Sequence, residues 1–235
     1  MELYIIRHGE PDYTTDTLTP YGKLQAEALS KKLEKTGIDQ IYTSPRGRAI
    51  QTAEPTCQKL GLPYTIEEWA YEIGNSAHTT YPDGVDTHIT DLQTTLLRDN
   101  GQIDLPFSRT FECSALAQSN MEEEFHRVRE AGEKILEKLG YQKQNDVYKI
   151  LNPSEDRVAL FCHAIFARVW LSDLLHIPLH IMWSSFFAHH LTGVTVLRFK
   201  NNEDGFTSPQ CLTFSDTSHL YAEGLPSLHS KQLIN

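Results

Sequence analysis

Near its amino end the chain reads Leu3-Tyr4-Ile5-Ile6-Arg7-His8-Gly9, and the architecture can be worked out from this segment. Its first four residues are apolar, aromatic or β-branched, and they predict a short strand buried on both faces, as in a parallel sheet. A cation and an imidazole follow directly, and the glycine after them lets the backbone turn sharply. The pattern therefore predicts a core strand whose carboxyl end presents chemically active side chains.

Two further stretches repeat this arrangement. Gln40-Ile41-Tyr42-Thr43 is followed by Ser44-Pro45-Arg46, and the most apolar run, Arg157–Cys162, is followed by His163. In an open parallel sheet, ligands bind beyond the carboxyl ends of the strands. The three strand ends should therefore bring these side chains to the same edge of the sheet as His8.

The side chains predicted to meet there are two arginines and two histidines, namely Arg7, Arg46, His8 and His163. Helices that begin after Ser44 and after His163 would add N–H groups and the positive ends of their dipoles. This combination suits a tetrahedral oxyanion such as phosphate. Each residue alone is more often a surface or structural group, so the coincidence at three strand ends is what favours a site.

The remaining pattern alternates helices with strands. Helical spacing predicts helices over 20–37, 44–61, 120–139 and 165–175, and further strands are predicted over 64–66, 194–199 and 211–214. Pro55 should perturb or break the second helix. The alternation predicts a three-layer α/β/α sandwich with a mostly parallel central sheet and an antiparallel element at one edge.

Domain organisation follows from the same pattern. We expect a single domain over residues 1–235. Residues 74–125 show no regular periodicity and are too long for a simple connection, so they predict an inserted cap.

Composition bounds the partners and the location. The chain has 235 residues with 21 Lys and Arg against 31 Asp and Glu, a formal net charge of −10. This balance argues against a nucleic-acid partner. Taken alone it also argues against an anionic substrate, but net charge governs long-range association, whereas the predicted site concentrates cations locally.

The cysteines and the apolar runs bear on the compartment. Cys57, Cys113, Cys162 and Cys211 are far apart and predict free thiols in a reducing cytosol. No secretory signal is visible, and no apolar run approaches the roughly 20 residues of a membrane span. We therefore expect a cytoplasmic protein without a membrane partner.

Several of the eleven histidines invite a metal-binding interpretation. His176, His180, His189 and His190 are close in sequence, but they share no repeated ligand spacing with a carboxylate or a cysteine. Structural or surface roles are therefore favoured, and we expect no metal and no cofactor.

Three ordered blocks of sequence carry a family resemblance. They are the R-H-G block in 4–10, L-T-x-x-G-x-x-Q-A in 18–26, and S-P-x-x-R-A-x-Q-T-A in 44–53. His163 at a strand end and Ser218-His219-Leu220 near the carboxyl end complete the set. The chain thereby resembles the histidine phosphatase superfamily, also called phosphoglycerate mutase-like, from residue 3 to about residue 220.

The resemblance implies roles for the residues at the sheet edge. His8 would be the nucleophile that forms a phosphohistidine, which splits hydrolysis into two steps. Arg7, Arg46 and His163, with the backbone at Gly9, would bind the phosphoryl oxygens and stabilise the charge of the transition state. No metal is implied, because the cationic side chains supply the neutralising charge.

The resemblance also implies a proton donor, Glu72. It would act as general acid in the first step and as base for water in the second. Glu67 and Glu68 are rivals that are more typical of a solvated surface. The chain departs from the family pattern at Thr14, at Ala164 after the second histidine, and over 75–78, which bears on the leaving group that fits.

The implied function is hydrolysis of a small phosphorylated metabolite with release of inorganic phosphate. A phosphoglycerate mutase would use the same His8 chemistry but would need further basic residues around the mouth of the site. Residues 72–120 contain two arginines, Arg98 and Arg109, and no lysine. A non-catalytic phospho-ligand binding protein would predict loss of His8, Arg46 or His163, and all are present. The sequence leaves the substrate and the oligomeric state open.

Overall fold

The computed structural model of the chain describes residues 1–74, 78–80, 86–186 and 190–226. The strands are, in chain order, β1 (Glu2–Arg7), β2 (Pro11–Asp12), β3 (Thr17–Leu18), β4 (Gln40–Thr43), β5 (Tyr64–Ile66), β6 (His78–Thr80), β7 (Asp86–His88), β8 (Tyr141–Gln144), β9 (Val147–Ile150), β10 (Arg157–Cys162), β11 (Val194–Arg198), β12 (Phe206–Thr207) and β13 (Gln210–Asp216). The α-helices are α1 (Pro20–Thr36), α2 (Gly47–Leu60), α3 (Thr94–Arg98), α4 (Met121–Lys138), α5 (Ala164–Leu174), α6 (Leu179–Ser185) and α7 (Ser218–Ala222). Short 3₁₀ turns lie at Glu68–Ala70, Ile89–Asp91, Gln102–Asp104 and Phe107–Glu112.

The central sheet has six strands in the order β13-β11-β1-β10-β4-β5. Four neighbouring strands, β1, β10, β4 and β5, run parallel to one another. On the other side of β1, β11 pairs antiparallel with β1, and β13 pairs antiparallel with β11. This arrangement confirms the mostly parallel sheet and the antiparallel element at one edge.

The residues of β1 divide between two apolar clusters, one on each face of the sheet. Leu3 and Ile5 belong to the cluster that includes side chains of α4 and α5. Tyr4 and Ile6 belong to the other, with side chains of α1 and α2. Because successive strand residues point to opposite faces, a wholly apolar strand requires helices on both sides. The three-layer α/β/α sandwich is confirmed.

The ends of α1 follow the sequence signals. Thr19 accepts a hydrogen bond from the Gly22 N–H at 3.0 Å, and Pro20 occupies the first helical position. At the other end Gly37 adopts φ +77°, and its N–H donates to the Leu33 carbonyl at 2.9 Å. A side-chain N-cap and a left-handed glycine at the C-terminus are what these residue types favour.

The helix α2 corrects one expectation, because it runs without interruption across Pro55. A proline removes one hydrogen bond to the carbonyl four residues earlier. Ala49 and Ala53 before Pro55 and Thr56 after it are buried, so packing on both sides of the proline keeps the helix continuous.

Sequence reasoning missed a second sheet, with strand order β12-β9-β8. Its hairpin turns at Asn145, which has φ +54°, a conformation that asparagine tolerates better than most residues. The Asn145-Asp146 pair between two runs with polar and apolar residues is the signal that could have found it. The helix α6 was also not predicted.

Between β5 and α4, the region of the predicted cap, the described residues form short elements. Ile89, Leu97 and Cys113 are buried in the same apolar cluster as residues of β1. The Leu179 N–H donates to the Thr110 hydroxyl at 2.8 Å, which joins this stretch to the start of α6. Its role as a cap over a substrate stays a prediction. In the described part of the chain, no helix has both the length and the apolar character to cross a bilayer.

Candidate active site

The parallel pairing of β1 with β10 places His8 beside His163. Arg7 is in register with Cys162, and the His8 N–H donates to the Cys162 carbonyl at 3.0 Å. The centroids of the two imidazole rings lie 5.2 Å apart, and both residues are buried. The sheet therefore brings together the two histidines that the strand ends predicted.

The tautomer of His8 follows from its hydrogen bond to the backbone. Nδ1 lies 2.7 Å from the Gly9 carbonyl oxygen. Because a carbonyl can only accept, Nδ1 carries the proton, and in the neutral ring the lone pair is on Nε2. In that form of the ring, Nε2 is the nitrogen that can act as a base or as a nucleophile.

Both ring nitrogens of His163 contact protein side chains. Nδ1 lies 3.2 Å from Nη2 of Arg48, and Nε2 lies 2.7 Å from the Ser44 hydroxyl. A guanidinium can only donate, so Nδ1 accepts and Nε2 donates to Ser44. Burial, followed by the charges of His8, Arg48, Arg46 and Arg7, holds the pKa of His163 well below its usual value. His163 is therefore a neutral ring with a defined direction of hydrogen bonding.

Arg48 is a site residue that sequence reasoning missed. It is buried and contacts His163, whereas Arg46, two residues earlier, has an exposed side chain at the start of α2. The charge of Arg46 still acts on His163 and contributes to its lowered pKa. The signal for Arg48 was in the third sequence block, where it is the arginine of the R-A pair. Binding of phosphate by Arg46 stays a prediction.

Asp16 fixes Arg48 and the start of α2 together. One carboxylate oxygen lies 2.5 Å from Nη1 of Arg48, and the other accepts the Gly47 N–H at 2.9 Å. An added Cβ at Gly47 would lie 2.4 Å from the Asp16 carbonyl oxygen, so this close approach requires glycine. The loop between β2 and β3 therefore positions the buried arginine.

Glu72 lies at the start of α5. Its carboxylate accepts the N–H groups of Phe166 at 3.0 Å and Ile165 at 3.4 Å, and also that of Ile73 at 3.1 Å. A negative charge in this position is stabilised by the helix dipole. The charge of Glu72 also acts on Arg7, which places the carboxylate at the border of the site.

These contacts bear on the expectation that two helix starts would favour the substrate anion. At α2 the Gly47 N–H binds Asp16, and at α5 the Ile165 and Phe166 N–H groups bind Glu72. The protein's own carboxylates thus occupy part of each helix start, and binding of a substrate anion there stays a prediction.

Arg7 is the second cation close to the histidines. Burial lowers the pKa of its guanidinium, while Tyr13, through its charge and a hydrogen bond, and Glu72 act in the opposite direction. Arginine nevertheless remains charged at neutral pH. The Tyr13 ring also lies under the Arg48 guanidinium, 5.5 Å from its centroid.

Gly9 has a packing role. An added Cβ would lie 2.8 Å from the Gly22 carbonyl oxygen, so the turn after His8 fits against α1 only without a side chain. The Gly9 N–H donates to the Thr52 hydroxyl at 3.0 Å. The predicted contact of Gly9 with phosphate stays a prediction.

A third histidine, His219, is linked to the backbone of His8 through Thr192. The Thr192 N–H donates to the His8 carbonyl at 3.2 Å, and the Thr192 hydroxyl lies 2.9 Å from Nε2 of His219. The same hydroxyl donates to the Leu191 carbonyl, so His219 donates to it through Nε2. His219, from the S-H-L block, is thus linked to His8 through Thr192.

Other residues that the sequence singled out lie elsewhere. Thr14 donates to Asp12 in an exposed turn. His180 contacts Thr110, and the His176 ring packs on Phe107. His189 and residues 75–77 lie outside the described residues, and within those described no three His, Cys, Asp or Glu side chains form a group that could hold a metal.

Comparison with known proteins shows the family. A family model described as the histidine phosphatase superfamily (branch 1) matches residues 3–210. "Putative phosphoserine phosphatase 2" of Hydrogenobacter thermophilus is 33% identical over 80 residues, which are 30% of this chain and 39% of that protein. "Probable phosphoglycerate mutase GpmB" of Proteus mirabilis is 31% identical over 67 residues, 25% of this chain and 31% of that protein. The chain spans less than two fifths of the length of these curated relatives.

Solved structures share the fold over nearly the whole chain. A phosphoserine phosphatase from Entamoeba histolytica, in complex with 3-phosphoglyceric acid, has a TM-score of 0.60 and 21% identity, covering 93% of this chain and 98% of its own. Bacillus stearothermophilus YhfR has a TM-score of 0.61 at 21% identity, with the same coverage of both chains. A mycobacterial glucosyl-3-phosphoglycerate phosphatase with inorganic phosphate has a TM-score of 0.59 at 19% identity, again over 93% and 98%. At these identities the likeness shows the fold.

The environment of His219 predicts a pH dependence of stability. Burial, with the Lys32 charge adding to it and Asp216 opposing it, lowers the pKa of His219 to about 4. In the unfolded chain a histidine titrates near pH 6.5, so the unfolded state binds the proton first. The stability that depends on keeping His219 neutral is complete above about pH 6.5, and it is lost as the pH falls from there towards about 4.

His219→Gln should therefore remove about 1.4 kcal/mol per pH unit from the slope of the unfolding free energy in this window. Urea unfolding at about pH 7 and about pH 5 measures that slope. His176→Gln, at an exposed histidine, is the matched control and should keep the wild-type slope. An unchanged slope in His219→Gln would contradict the assignment.

Proposed function

The chain belongs to branch 1 of the histidine phosphatase superfamily, and we propose that it hydrolyses the phosphate monoester of a small metabolite through a phosphohistidine on His8. The observation that supports this most strongly is the cluster in which His8, with its lone pair on Nε2, lies beside His163 among Arg7 and Arg48. A neutral imidazole surrounded by cations suits attack on a dianionic phosphoryl group.

In the first step, Nε2 of His8 donates its electron pair to phosphorus, and the bond from phosphorus to the leaving oxygen breaks. Glu72, starting as the carboxylic acid, gives its proton to that oxygen, and the carboxylate left behind is the form that the N–H groups at the start of α5 stabilise. In the second step a water oxygen attacks phosphorus, the bond to Nε2 breaks, and Glu72 takes the proton from water. Inorganic phosphate leaves, and His8 and Glu72 return to their starting states.

Charge stabilisation is assigned to side chains that the sheet edge brings together. Arg7 and Arg48 are buried or partly buried beside the two histidines, and the charge of exposed Arg46 acts on the same region. His163 donates through Nε2 to Ser44, a donor that a phosphoryl oxygen would compete for. Because these groups supply the neutralising charge, the proposed reaction proceeds without a metal ion.

The acid role of Glu72 rests on its position at the border between Arg7 and the start of α5. Of its rivals, Glu67 accepts the Trp69 indole N–H at 2.8 Å and Glu68 is exposed. Neither has a contact that places it against the histidines. Glu72 is therefore the carboxylate proposed to exchange protons with the leaving group and with water.

The proposed substrate is small, and the proposed product is inorganic phosphate. The relatives' names include phosphoserine and 3-phosphoglycerate among their ligands, and these are small phosphomonoesters. We assign choice of the leaving group to the cap over residues 74–125. The net charge of −10 disfavours nucleic acid, and the unpaired thiols of the four cysteines suit the cytoplasm.

Mutase activity is the second candidate, because one curated relative is named a probable phosphoglycerate mutase. The arginines of the cap argue against it. Arg109 pairs with Glu112, and Arg98 donates to Ser185, so both have partners away from the histidines. Measuring 3-phosphoglycerate isomerisation beside phosphate release distinguishes the two activities.

His8→Ala should lower release of phosphate from an aryl phosphate by at least about 1,000-fold, because the nucleophile is lost. His176→Gln is the control for a histidine outside the site. Rapid quenching of wild-type protein with labelled substrate should also trap an acid-labile phosphohistidine that His8→Ala does not form. Undiminished turnover in His8→Ala would overturn the proposed function.

Glu72→Gln should slow alkyl phosphates by about 100-fold and leave aryl phosphates much less affected, because only a poor leaving group requires a proton. The amide keeps one oxygen that can accept the Phe166 N–H, which limits the effect on α5. Glu68→Gln, at an exposed neighbouring glutamate, should match wild type on both substrate classes. Equal slowing of alkyl and aryl phosphates would contradict the acid role.

The two arginines of the third block can be separated by matched substitutions. Arg48→Met should lower kcat/KM by about 100-fold, because a buried cation at the phosphoryl site is lost. Arg46→Met should lower it by about 10-fold, because an exposed charge is screened by water. Arg157→Met, at the opposite end of β10, is the control. Wild-type kinetics in Arg46→Met would remove Arg46 from the phosphate site.

A further inference from the structure

Arg168 is a buried cation that forms no ion pair with a carboxylate of the described residues. Its side chain belongs to α5, and the residue is 7% exposed. Nε has no hydrogen-bond partner, and no described carboxylate forms an ion pair with the guanidinium. A buried charge that no carboxylate contacts directly is unfavourable, and a bound anion would supply that missing contact.

The direction of α5 places this cation towards the site. Side chains of a helix point back towards its N-terminus, and Arg168 lies one turn after Ala164. The N-terminus of α5 is where Glu72 accepts the Ile165 and Phe166 N–H groups. Arg168 also interacts electrostatically with Arg7 and Glu72. The guanidinium therefore lies on the Glu72 side of the histidine cluster, the side proposed for the leaving group.

The Arg168 guanidinium lies over the ring of Trp183. The Arg168 Cζ lies 5.0 Å from the centroid of the Trp183 ring. The indole N–H of Trp183 donates to the Ile89 carbonyl at 2.6 Å, and Trp183 itself is buried. A cation–π contact of this kind uses no N–H group of the guanidinium, so these donors can still bind an anion. Through its bond to Ile89, the ring also connects Arg168 to the predicted cap.

The other buried arginine of the site differs in having a counterion. Arg48 is paired with Asp16. Burial, with the Arg7 charge adding to it and Glu72 opposing it, lowers the pKa of Arg168 to about 10, so its guanidinium is still charged at neutral pH. Arg168 is therefore a surplus positive charge beside the phosphoryl site.

We infer that Arg168 binds a second anionic group of the substrate, a carboxylate or a second phosphate carried by the leaving group. This inference rests on the proposed function and assigns the substrate class within it. The expected substrates are small phosphomonoesters whose alcohol portion is itself negatively charged. Arg168 then determines specificity through binding, while His8 and Glu72 carry out the chemistry.

Equilibrium binding in the His8→Ala background tests this without turnover. Glycerol 3-phosphate and 3-phosphoglycerate differ at one carbon, which carries a hydroxyl in the first and a carboxylate in the second. 1,3-Propanediol bisphosphate supplies a second phosphate instead. Calorimetry should show that at least one of the two doubly anionic ligands binds more tightly than glycerol 3-phosphate, and which one identifies the source of the anion.

Adding Arg168→Gln should weaken the affinity for the favoured doubly anionic ligand by about 10- to 100-fold, the range for a charge-assisted hydrogen bond. The affinity for glycerol 3-phosphate should stay nearly unchanged. Arg168→Lys keeps the charge without the fork of donors and should recover part of the loss. Arg198→Gln, at the opposite end of the sheet, removes an exposed arginine and should have no effect on the ratio of affinities. Binding of glycerol 3-phosphate is the internal check that each variant is folded.

Two results would overturn the inference. One is a ratio of affinities for doubly and singly anionic ligands that Arg168→Gln leaves unchanged. The other is that the His8→Ala protein, with Arg168 intact, binds glycerol 3-phosphate more tightly than it binds either doubly anionic ligand. Failure of the proposed function would be seen in a separate measurement, as absence of phosphate release by the protein with His8 intact. In that case the ratio of the ligand affinities can still be measured.

Discussion

The arrangement of the site depends on the parallel pairing of β1 with β10. The register that sets Arg7 opposite Cys162 makes both strands end at the same level, so His8 and His163 leave the sheet side by side. The bond from the His8 N–H to the Cys162 carbonyl fixes this relation at the last residue of the ladder. A shift of the register by one residue would separate the rings and exchange side chains between the two apolar clusters, so core packing and site geometry are maintained by the same contacts.

Acidic side chains position the cations and helix starts of the candidate site. Asp16 pairs with Arg48 and accepts the first N–H of α2, and Glu72 accepts the first N–H groups of α5. Each carboxylate stabilises a helix start and at the same time holds a charge beside the histidines. A chain with a net charge of −10 can therefore maintain a cationic site, because local geometry and not composition determines the field at the sheet edge.

The parts of the site that sequence could predict are those that follow a strand directly. His8 and His163 each come next to a buried, apolar run, so their meeting required only the topology. Arg48 was not predicted because it lies on the second residue of α2, and its burial depends on where that helix starts and on Asp16, which comes from a distant loop. Arg168 was equally hidden, because a charged residue in an apolar helix has no pattern that tells whether a counterion lies near it.

The alternation of strands and helices, the parallel sheet and the identity of the histidine pair can be read from the amino-acid sequence alone. These are consequences of local periodicity and of residues adjacent to strand ends, which act over a few positions of the chain. Three properties emerge in the folded chain alone: which arginines are buried, which carboxylates contact them, and which buried arginine forms no ion pair with a described carboxylate. Those properties depend on side chains from α2, α5, α6 and the loop between β2 and β3 that approach one another across long separations in sequence, and burial and charge pairing are set by that approach alone.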